Sequence, residues 1–301
     1  MAQAPATPKA RRAAHLLRAA FRGISPGSPG LAPSESAALK LRRARAGESW
    51  LPPKTVTFLI PLVGPESVGN WSAVTALLER TLNSLLLQTD PNWRAIICCQ
   101  TQPPLPLSDK ITFLPFEDPT PGNDKWRKLA ALYGHLAHNA DAPGLVMTFD
   151  ADDRADPTLV HRLLEHPGGA LLERGYVYDA GHDRIALARP QTMFAPGAKA
   201  FWKLCGSCAA LPFDPGQASR AAQWAFLSEL SQHEHRMVPY LARLAGQPLH
   251  AIAVPLALYM LNHGENFGAR RGRVTFKTRF AERFALTDPA VEASVRKFYG
   301  L

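Results

Sequence analysis

The sequence lacks several features that mark common classes of protein. It has no uninterrupted apolar run of about 18–20 residues, so it predicts no membrane-spanning helix. The first predicted strand is not followed by the glycine-rich turn of a dinucleotide fold, and there is no P-loop. The N-terminus lacks the apolar core of a secretory signal, and its few cysteines are typical of buried, reduced thiols. We therefore expect a cytoplasmic protein.

Acidic residues are scarce at the N-terminus, where most of the charge lies. Residues 1–50 contain nine Lys or Arg but only two acids, Glu35 and Glu48, and the whole chain carries +9. The remaining residues therefore carry only +2. A basic body that binds nucleic acid is not indicated, and we expect no nucleic-acid partner.

Residues 1–53 are predicted to form a basic, largely disordered extension with one amphipathic segment. In Ala10–Arg22, an apolar stripe falls opposite three arginines. The stripe is Ala13, Leu16, Leu17, Ala20 and Phe21, and the arginines are Arg11, Arg18 and Arg22. Such a helix suits an anionic membrane surface, which would place the protein peripherally at the inner face of the membrane. An unstructured basic tail remains the alternative.

The most informative segment present is Leu145–Pro157, which reads L-V-M-T-F-D-A-D-D-R-A-D-P. Its apolar run is typical of a strand buried on both faces, and three carboxylates follow it directly. In open α/β sheets, the carboxyl ends of strands are where ligands bind. Because Asp150 and Asp152 are two residues apart in extended chain, their side chains point the same way and can hold one divalent cation with a diphosphate.

Apolar strands alternate with helical patterns through the first half of the predicted folded domain. Strands are predicted at Thr55–Val63, Trp93–Cys99, Ile111–Phe116 and Leu145–Phe149, with a helix at Asp124–His138. This order indicates an α/β fold with a doubly wound, mostly parallel sheet and helices on both faces. We expect residues 54–170 to form one half of this domain, and residues 171–301 to form a smaller α+β portion of the same domain.

Three motifs in order resemble one enzyme family. Asp150-Ala151-Asp152-Asp153 resembles the D-x-D region of nucleotide-sugar glycosyltransferases with the GT-A fold, especially the family 2-like enzymes. The segment Arg80–Thr89 is similar to the helix that precedes the family's second strand, and Asp124–Lys128 resembles the basic stretch before the D-x-D strand. The resemblance covers about Thr55–Glu165. It implies that residues 54–170 form the nucleotide-sugar-binding half and that residues 171–301 form the acceptor side of the same domain.

The resemblance implies a metal-dependent hexosyltransferase-like enzyme that moves a sugar from a nucleotide-diphosphate sugar to a glycan or lipid-linked acceptor. It implies Mn²⁺ or Mg²⁺ held by Asp150 and Asp152, with His263 as a further ligand, and Asp153 facing the donor sugar. Asp150 also contacts the donor. The remaining donor-binding residues implied are Pro61, Gln100, Lys125 and Lys128.

Two positions depart from the family pattern or stay open. Family members usually end the second strand with an aspartate that contacts the nucleobase, and Gln100 follows the strand here. The acceptor hydroxyl also needs a base to take its proton. Asp214, Glu229 and Glu234 are candidates, and we favour Glu234 because it opens a predicted helix among titratable groups.

Two other functions are compatible with the acidic motif. A phosphohydrolase of the haloacid-dehalogenase kind also uses D-x-D after a strand, but Thr or Val normally stands where this chain has Arg154. A non-catalytic protein that binds nucleotide sugars on the same fold is the second alternative.

Overall fold

The computed structural model describes residues 4–21, 23–120, 122–264 and 274–301. The helices are α1 Lys9–Ala20, α2 Pro33–Ala44, α3 Trp71–Leu86, α4 Lys125–Asn139, α5 Leu159–Leu164, α6 Arg220–Leu230, α7 Val238–Leu244, α8 Val274–Arg283 and α9 Pro289–Tyr299. The strands are β1 Val56–Pro61, β2 Trp93–Cys99, β3 Ile111–Pro115, β4 Gly144–Thr148, β5 Arg154–Ala155, β6 Ala170–Leu172, β7 Gly175–Asp179, β8 Arg184–Ala188, β9 Ala209–Phe213, β10 His250–Ile252 and β11 Ala257–Leu261.

A seven-stranded sheet forms the centre of the fold, in the order β10-β6-β9-β4-β1-β2-β3. The first four strands run parallel to one another, whereas β9 runs antiparallel between β4 and β6. The apolar runs of β1, β2 and β4 are buried almost completely, as expected for strands covered on both faces. The α/β class is therefore confirmed, with a mixed sheet.

A second sheet and the last two helices form the C-terminal part. The sheet has the order β5-β11-β7-β8, and α8 packs on β7 and β8. Helix α9 is connected to the acidic segment because the Arg154 guanidinium donates to the carbonyl groups of Tyr299 and Gly300. The segment after the acidic run thus crosses from the first sheet to the second.

The prediction of a largely disordered N-terminal extension is wrong for the described residues of 1–53. Helix α2 packs against α6 and α7 and buries Leu39 and Leu41. Helix α1 contacts α7, and only part of the predicted segment Ala10–Arg22 can be assessed because Arg22 lies outside the described residues. The basic composition led to the prediction of a tail. In the structure, the apolar side of α2 is buried in the main core and its basic residues lie near the surface.

The order of the strands places the acidic segment at the edge of the sheet where β1, β2 and β4 end. A tight turn follows β4, closed by a hydrogen bond from the Asp153 amide to the Asp150 carbonyl. The Thr81 hydroxyl of α3 donates to the Ala151 carbonyl at 2.9 Å and fixes this turn. Among the described helices, none is long and apolar enough to cross a membrane.

Candidate functional site

Asp150 is paired with a lysine from the start of α4. Its Oδ1 lies 2.6 Å from Nζ of Lys125, and both side chains are partly exposed. Burial alone would raise the pKa of Asp150, but the charge and the hydrogen bond of Lys125 outweigh it, and the pKa is lowered. Asp150 is therefore a carboxylate held beside an ammonium group at the surface of the site.

The other oxygen of Asp150 is enclosed by the backbone of Cys205–Cys208. A Cβ on Gly206 would lie 3.1 Å from Asp150 Oδ2, so the close approach depends on glycine at this position. The Asp150 amide donates to the Ser207 hydroxyl at 2.8 Å. Cys205 and Cys208 are buried free thiols, and burial raises the pKa of both well above the usual range. This segment packs against the acidic turn.

Asp152 is paired with His263, the residue that the resemblance implied as a further metal ligand. Asp152 Oδ2 lies 2.7 Å from His263 Nε2, although the two residues come from distant parts of the chain. Nearly all of the histidine side chain is buried, whereas the carboxylate is about a quarter exposed. Within the described residues, no three or more His, Cys, Asp or Glu side chains are grouped to hold a metal ion. The structure thus presents a carboxylate–imidazole pair.

The prediction that Asp153 faces the donor sugar is wrong because its side chain is fully buried. It accepts hydrogen bonds from the Ser207 hydroxyl at 2.6 Å, the Cys205 thiol at 3.1 Å and the Met260 amide at 3.2 Å. Burial, together with the charges of Asp152 and Asp150, raises the pKa of Asp153 well above its usual range. Asp153 joins the acidic turn to β11 and does not reach a ligand.

The two lysines at the start of α4 have different environments. Lys128 is fully buried, and its Nζ donates to the Leu62 carbonyl at 2.6 Å and pairs with Asp124 at 2.8 Å. The prediction that Lys128 binds the donor is therefore wrong, since it holds the exit of β1 against α4. Lys125, one turn earlier, points to Asp150 and keeps its predicted position in the site.

A carboxylate does stand beside the end of β2, although the strand itself does not supply it. The Gln100 amide donates to Asp124 Oδ2 at 2.6 Å. Gln100 also lies so close to Gly64 that a Cβ there would be 2.5 Å from Gln100 Oε1. Sequence analysis missed Asp124 in this role because it begins α4, far along the chain from β2. Pro61, the last residue of β1, is half-buried on the same side of the sheet.

Two further residues near the acidic turn were missed by sequence analysis. Lys277 of α8 donates to the Tyr259 hydroxyl of β11 at 2.6 Å. Burial raises the pKa of Tyr259 well above its usual range, and the charges of Asp152 and Asp153 act in the same direction. Burial lowers the pKa of Lys277, while Cys205 and Asp150 oppose that effect. No motif or spacing connects these residues, so only the packing of the second sheet brings them here.

His235 completes the group of residues that interact electrostatically with Asp150. Burial lowers the pKa of His235 to about 3, the charges of Lys277 and Arg236 add to this, and Asp150 opposes it. Its Nε2 is buried and has no hydrogen-bond partner among the described residues. The imidazole is therefore neutral at pH 7.

The three candidate bases lie in different places. Glu234 is half-buried and directly precedes a single 3₁₀ turn, His235–Met237. The charge of Asp150 affects the pKa of the neighbouring His235. Asp214 follows β9, which runs antiparallel to β4, so it lies at the opposite edge of the sheet from Asp150. Glu229 lies on α6, which packs against α2 and α4. The structure thus places Asp214 away from the acidic turn, and the role of Glu234 stays a prediction.

The chain has no recognised relatives in two comparisons. No model of a known protein family matches it, and no curated protein matches it.

Proposed function

We propose that the protein is a metal-dependent glycosyltransferase that moves a sugar from a nucleotide-diphosphate sugar to a hydroxyl of a glycan or a lipid-linked acceptor. One observation carries the proposal: Asp150 pairs with Lys125, and Asp152 pairs with His263, at the carboxyl end of one buried strand. Three distant parts of the chain thus converge on a cluster of opposite charges where α/β sheets bind ligands. The parallel strands β1 to β4 and the position of the cluster are those expected of a GT-A fold.

Asp152 and His263 would supply two ligands to a divalent ion such as Mn²⁺ or Mg²⁺. The two side chains share one hydrogen bond, and a cation in its place would receive a carboxylate oxygen and an imidazole nitrogen. Asp150 would contact the ion through water, because its own carboxylate is paired with Lys125. When bound, such an ion offsets the negative charge that develops on a departing diphosphate.

Lys125 and Lys277 supply positive charge from the protein itself. Lys125 contacts Asp150 directly, and the charges of Lys277 and Asp150 interact. Fixed cations beside a leaving diphosphate are worth more in a partly buried site than in water. We assign both lysines to the phosphate-binding side of the site.

The pair formed by Gln100 and Asp124 is the proposed contact for the nucleobase. The amide of Gln100 fixes Asp124 Oδ2, and the carboxylate of Asp124 retains an oxygen, Oδ1, that can accept from a base N–H group. This assignment gives Asp124 the function that the family usually gives to the last residue of strand two. Pro61, at the adjacent end of β1, borders the same region.

The proposed reaction needs one proton transfer. The oxygen of the acceptor hydroxyl attacks the anomeric carbon of the sugar, and the bond from that carbon to the diphosphate breaks. The diphosphate leaves with the bonding electron pair, and the hydroxyl proton passes to Glu234. The neutral ring of His235 would lie next to this base and contact the acceptor or the sugar.

A phosphohydrolase of the haloacid-dehalogenase kind is less well supported. In that class the first aspartate is a free nucleophile, whereas Asp150 is engaged on one oxygen by Lys125 and approached on the other by Gly206. Arg154, at the position where Thr or Val is usual, is buried and binds the C-terminal carbonyl groups.

The experiment that tests the proposal measures nucleoside-diphosphate release from a panel of nucleotide sugars with Mn²⁺ or Mg²⁺. Asp152→Asn should lower turnover at least about 100-fold, because it removes a charged ligand of the cation that would offset the negative charge on the departing diphosphate. Asp141→Asn, which removes the same charge from the exposed loop before β4, should keep full turnover. Release of inorganic phosphate instead of a nucleoside diphosphate would favour the phosphohydrolase, and equal turnover of the two variants would refute the proposal.

A further inference from the structure

Helix α1 presents an apolar face to solvent although it is docked on the protein. Its inward residues His15 and Ala19 are buried against the body. Leu17 is 62% exposed, and Phe21, the residue that follows the helix, is 79% exposed. At 100° per residue, the exposed residues Ala10, Ala14, Leu17 and Phe21 fall on one stripe of the helix. Leu16, which the sequence assigned to that stripe, is turned partly inward.

Positive charge from α1 itself borders the exposed stripe. Arg11 and Arg18 lie along one edge of it, and Lys9 lies along the other. Residues 1–21 contain no Asp or Glu at all. Two copies of this helix would therefore repel each other, and a nucleic acid would leave Leu17 and Phe21 without apolar contact. An anionic lipid bilayer offers both negatively charged headgroups and an apolar acyl-chain region.

A buried polar network holds α1 in this orientation. Glu35 of α2 accepts hydrogen bonds from Thr7 and Tyr240, each at 2.8 Å, and His15 Nδ1 lies 3.0 Å from the Tyr240 hydroxyl. The Ala4 amide donates to the Gln232 carbonyl at 2.9 Å. Because these contacts fix the inward side of α1, the outward side is presented as a formed surface, with no folding cost at the moment of binding.

We propose that the outward face of α1 is a docking surface for an anionic lipid bilayer, of the kind found at the cytoplasmic leaflet. Leu17 and Phe21 enter the boundary between headgroups and acyl chains, and Lys9, Arg11 and Arg18 contact the lipid phosphates. The helix lies in the plane of the surface. This inference does not depend on the glycosyl transfer proposed above.

The test is co-sedimentation of the full chain with phosphatidylcholine vesicles with and without phosphatidylserine. The protein should bind the anionic vesicles at low ionic strength, bind less as salt is added, and leave the neutral vesicles largely unbound. Leu17→Ser/Phe21→Ser and Arg11→Gln/Arg18→Gln should each weaken binding about tenfold. Since these side chains are exposed, both variants should keep the thermal melting temperature of the wild type.

Leu86→Ser/Leu87→Ser is the matched control, because Leu86, at the end of α3, and Leu87, directly after it, are 51% and 68% exposed and lie outside α1. It should bind like the wild type. Equal binding of the Leu17→Ser/Phe21→Ser variant and the wild type, or no binding by the wild type, would overturn the proposal. A dimer in size-exclusion chromatography that dissociates in the Leu17→Ser/Phe21→Ser variant would instead assign the face to a second copy of the chain. Turnover of nucleotide sugars in the absence of vesicles reports on the active site separately.

Discussion

Gln100, which follows β2, and Asp124, which precedes α4, are joined by a hydrogen bond of 2.6 Å. The same Asp124 oxygen pairs with the buried Nζ of Lys128 at 2.8 Å, and Lys128 also binds the carbonyl that follows β1. One carboxylate therefore holds two strand ends and a helix start in place. Its proposed contact with a nucleobase would use a side chain that the fold already needs.

The first prediction concerns the stability that this carboxylate provides. Asp124→Asn should lower the free energy of unfolding by about 2 kcal/mol, because the buried ammonium of Lys128 loses its counter-charge. In a double-mutant cycle with Lys128→Met, measured by urea denaturation, the two residues should be coupled by at least about 1 kcal/mol. Strictly additive effects would show that the ion pair contributes nothing to the fold.

The sequence contains enough information for the α/β class and for the placement of the acidic segment. Both can be predicted from short stretches of neighbouring residues, namely the apolar runs of β1, β2 and β4 and the carboxylates that follow β4. The antiparallel strand Ala209–Phe213 was not predicted, because a short apolar run carries no information about direction or partner.

The parts of the site that sequence analysis missed depend on contacts between distant segments. Asp153 and Asp152 are neighbours of the same type, yet the first is buried under β11 and the second faces His263. Lys277 and Tyr259 meet only because α8 packs on the second sheet. The burial of α2 was also missed, because its apolar side packs against α6 and α7, which are distant in the sequence.

A second prediction tests the proposed base. Glu234→Gln should retain the dissociation constant of the nucleotide sugar, measured by calorimetry, and lose turnover by about 10²- to 10⁴-fold. The amide keeps the size of the side chain but cannot take the acceptor proton. Glu229→Gln on α6 serves as the control and should turn over normally. Full activity of the Glu234 variant would remove this residue from the mechanism.

Gly206 provides a third prediction, on positioning. Gly206→Ala should displace Asp150, since the new Cβ would lie 3.1 Å from its Oδ2, and turnover should fall about 10- to 100-fold. Gly134→Ala is the control, because nothing lies within 4 Å of a Cβ at that position in α4. It should raise the free energy of unfolding by about 0.5–1 kcal/mol without changing turnover. If Gly206→Ala turns over normally, the close approach of Asp150 to the Cys205–Cys208 segment is not needed.

The last prediction concerns acid stability and follows from His235. Its pKa is about 3 in the folded protein, because of burial and of nearby Lys277 and Arg236, and ordinary histidine in an unfolded chain titrates near 6.5. Between these two values the unfolded chain binds more protons than the folded one. The free energy of unfolding should therefore fall as pH decreases below 6.5, by up to about 1.4 kcal/mol per pH unit from this residue, and the effect should level off near pH 3.

The variant His235→Gln tests this prediction by urea denaturation between pH 4 and 7. It should reduce the slope of unfolding free energy against pH by the equivalent of about one bound proton. Identical slopes for the wild type and His235→Gln would mean that His235 accepts a proton in the folded protein as easily as in the unfolded chain, which its buried position beside Lys277 opposes.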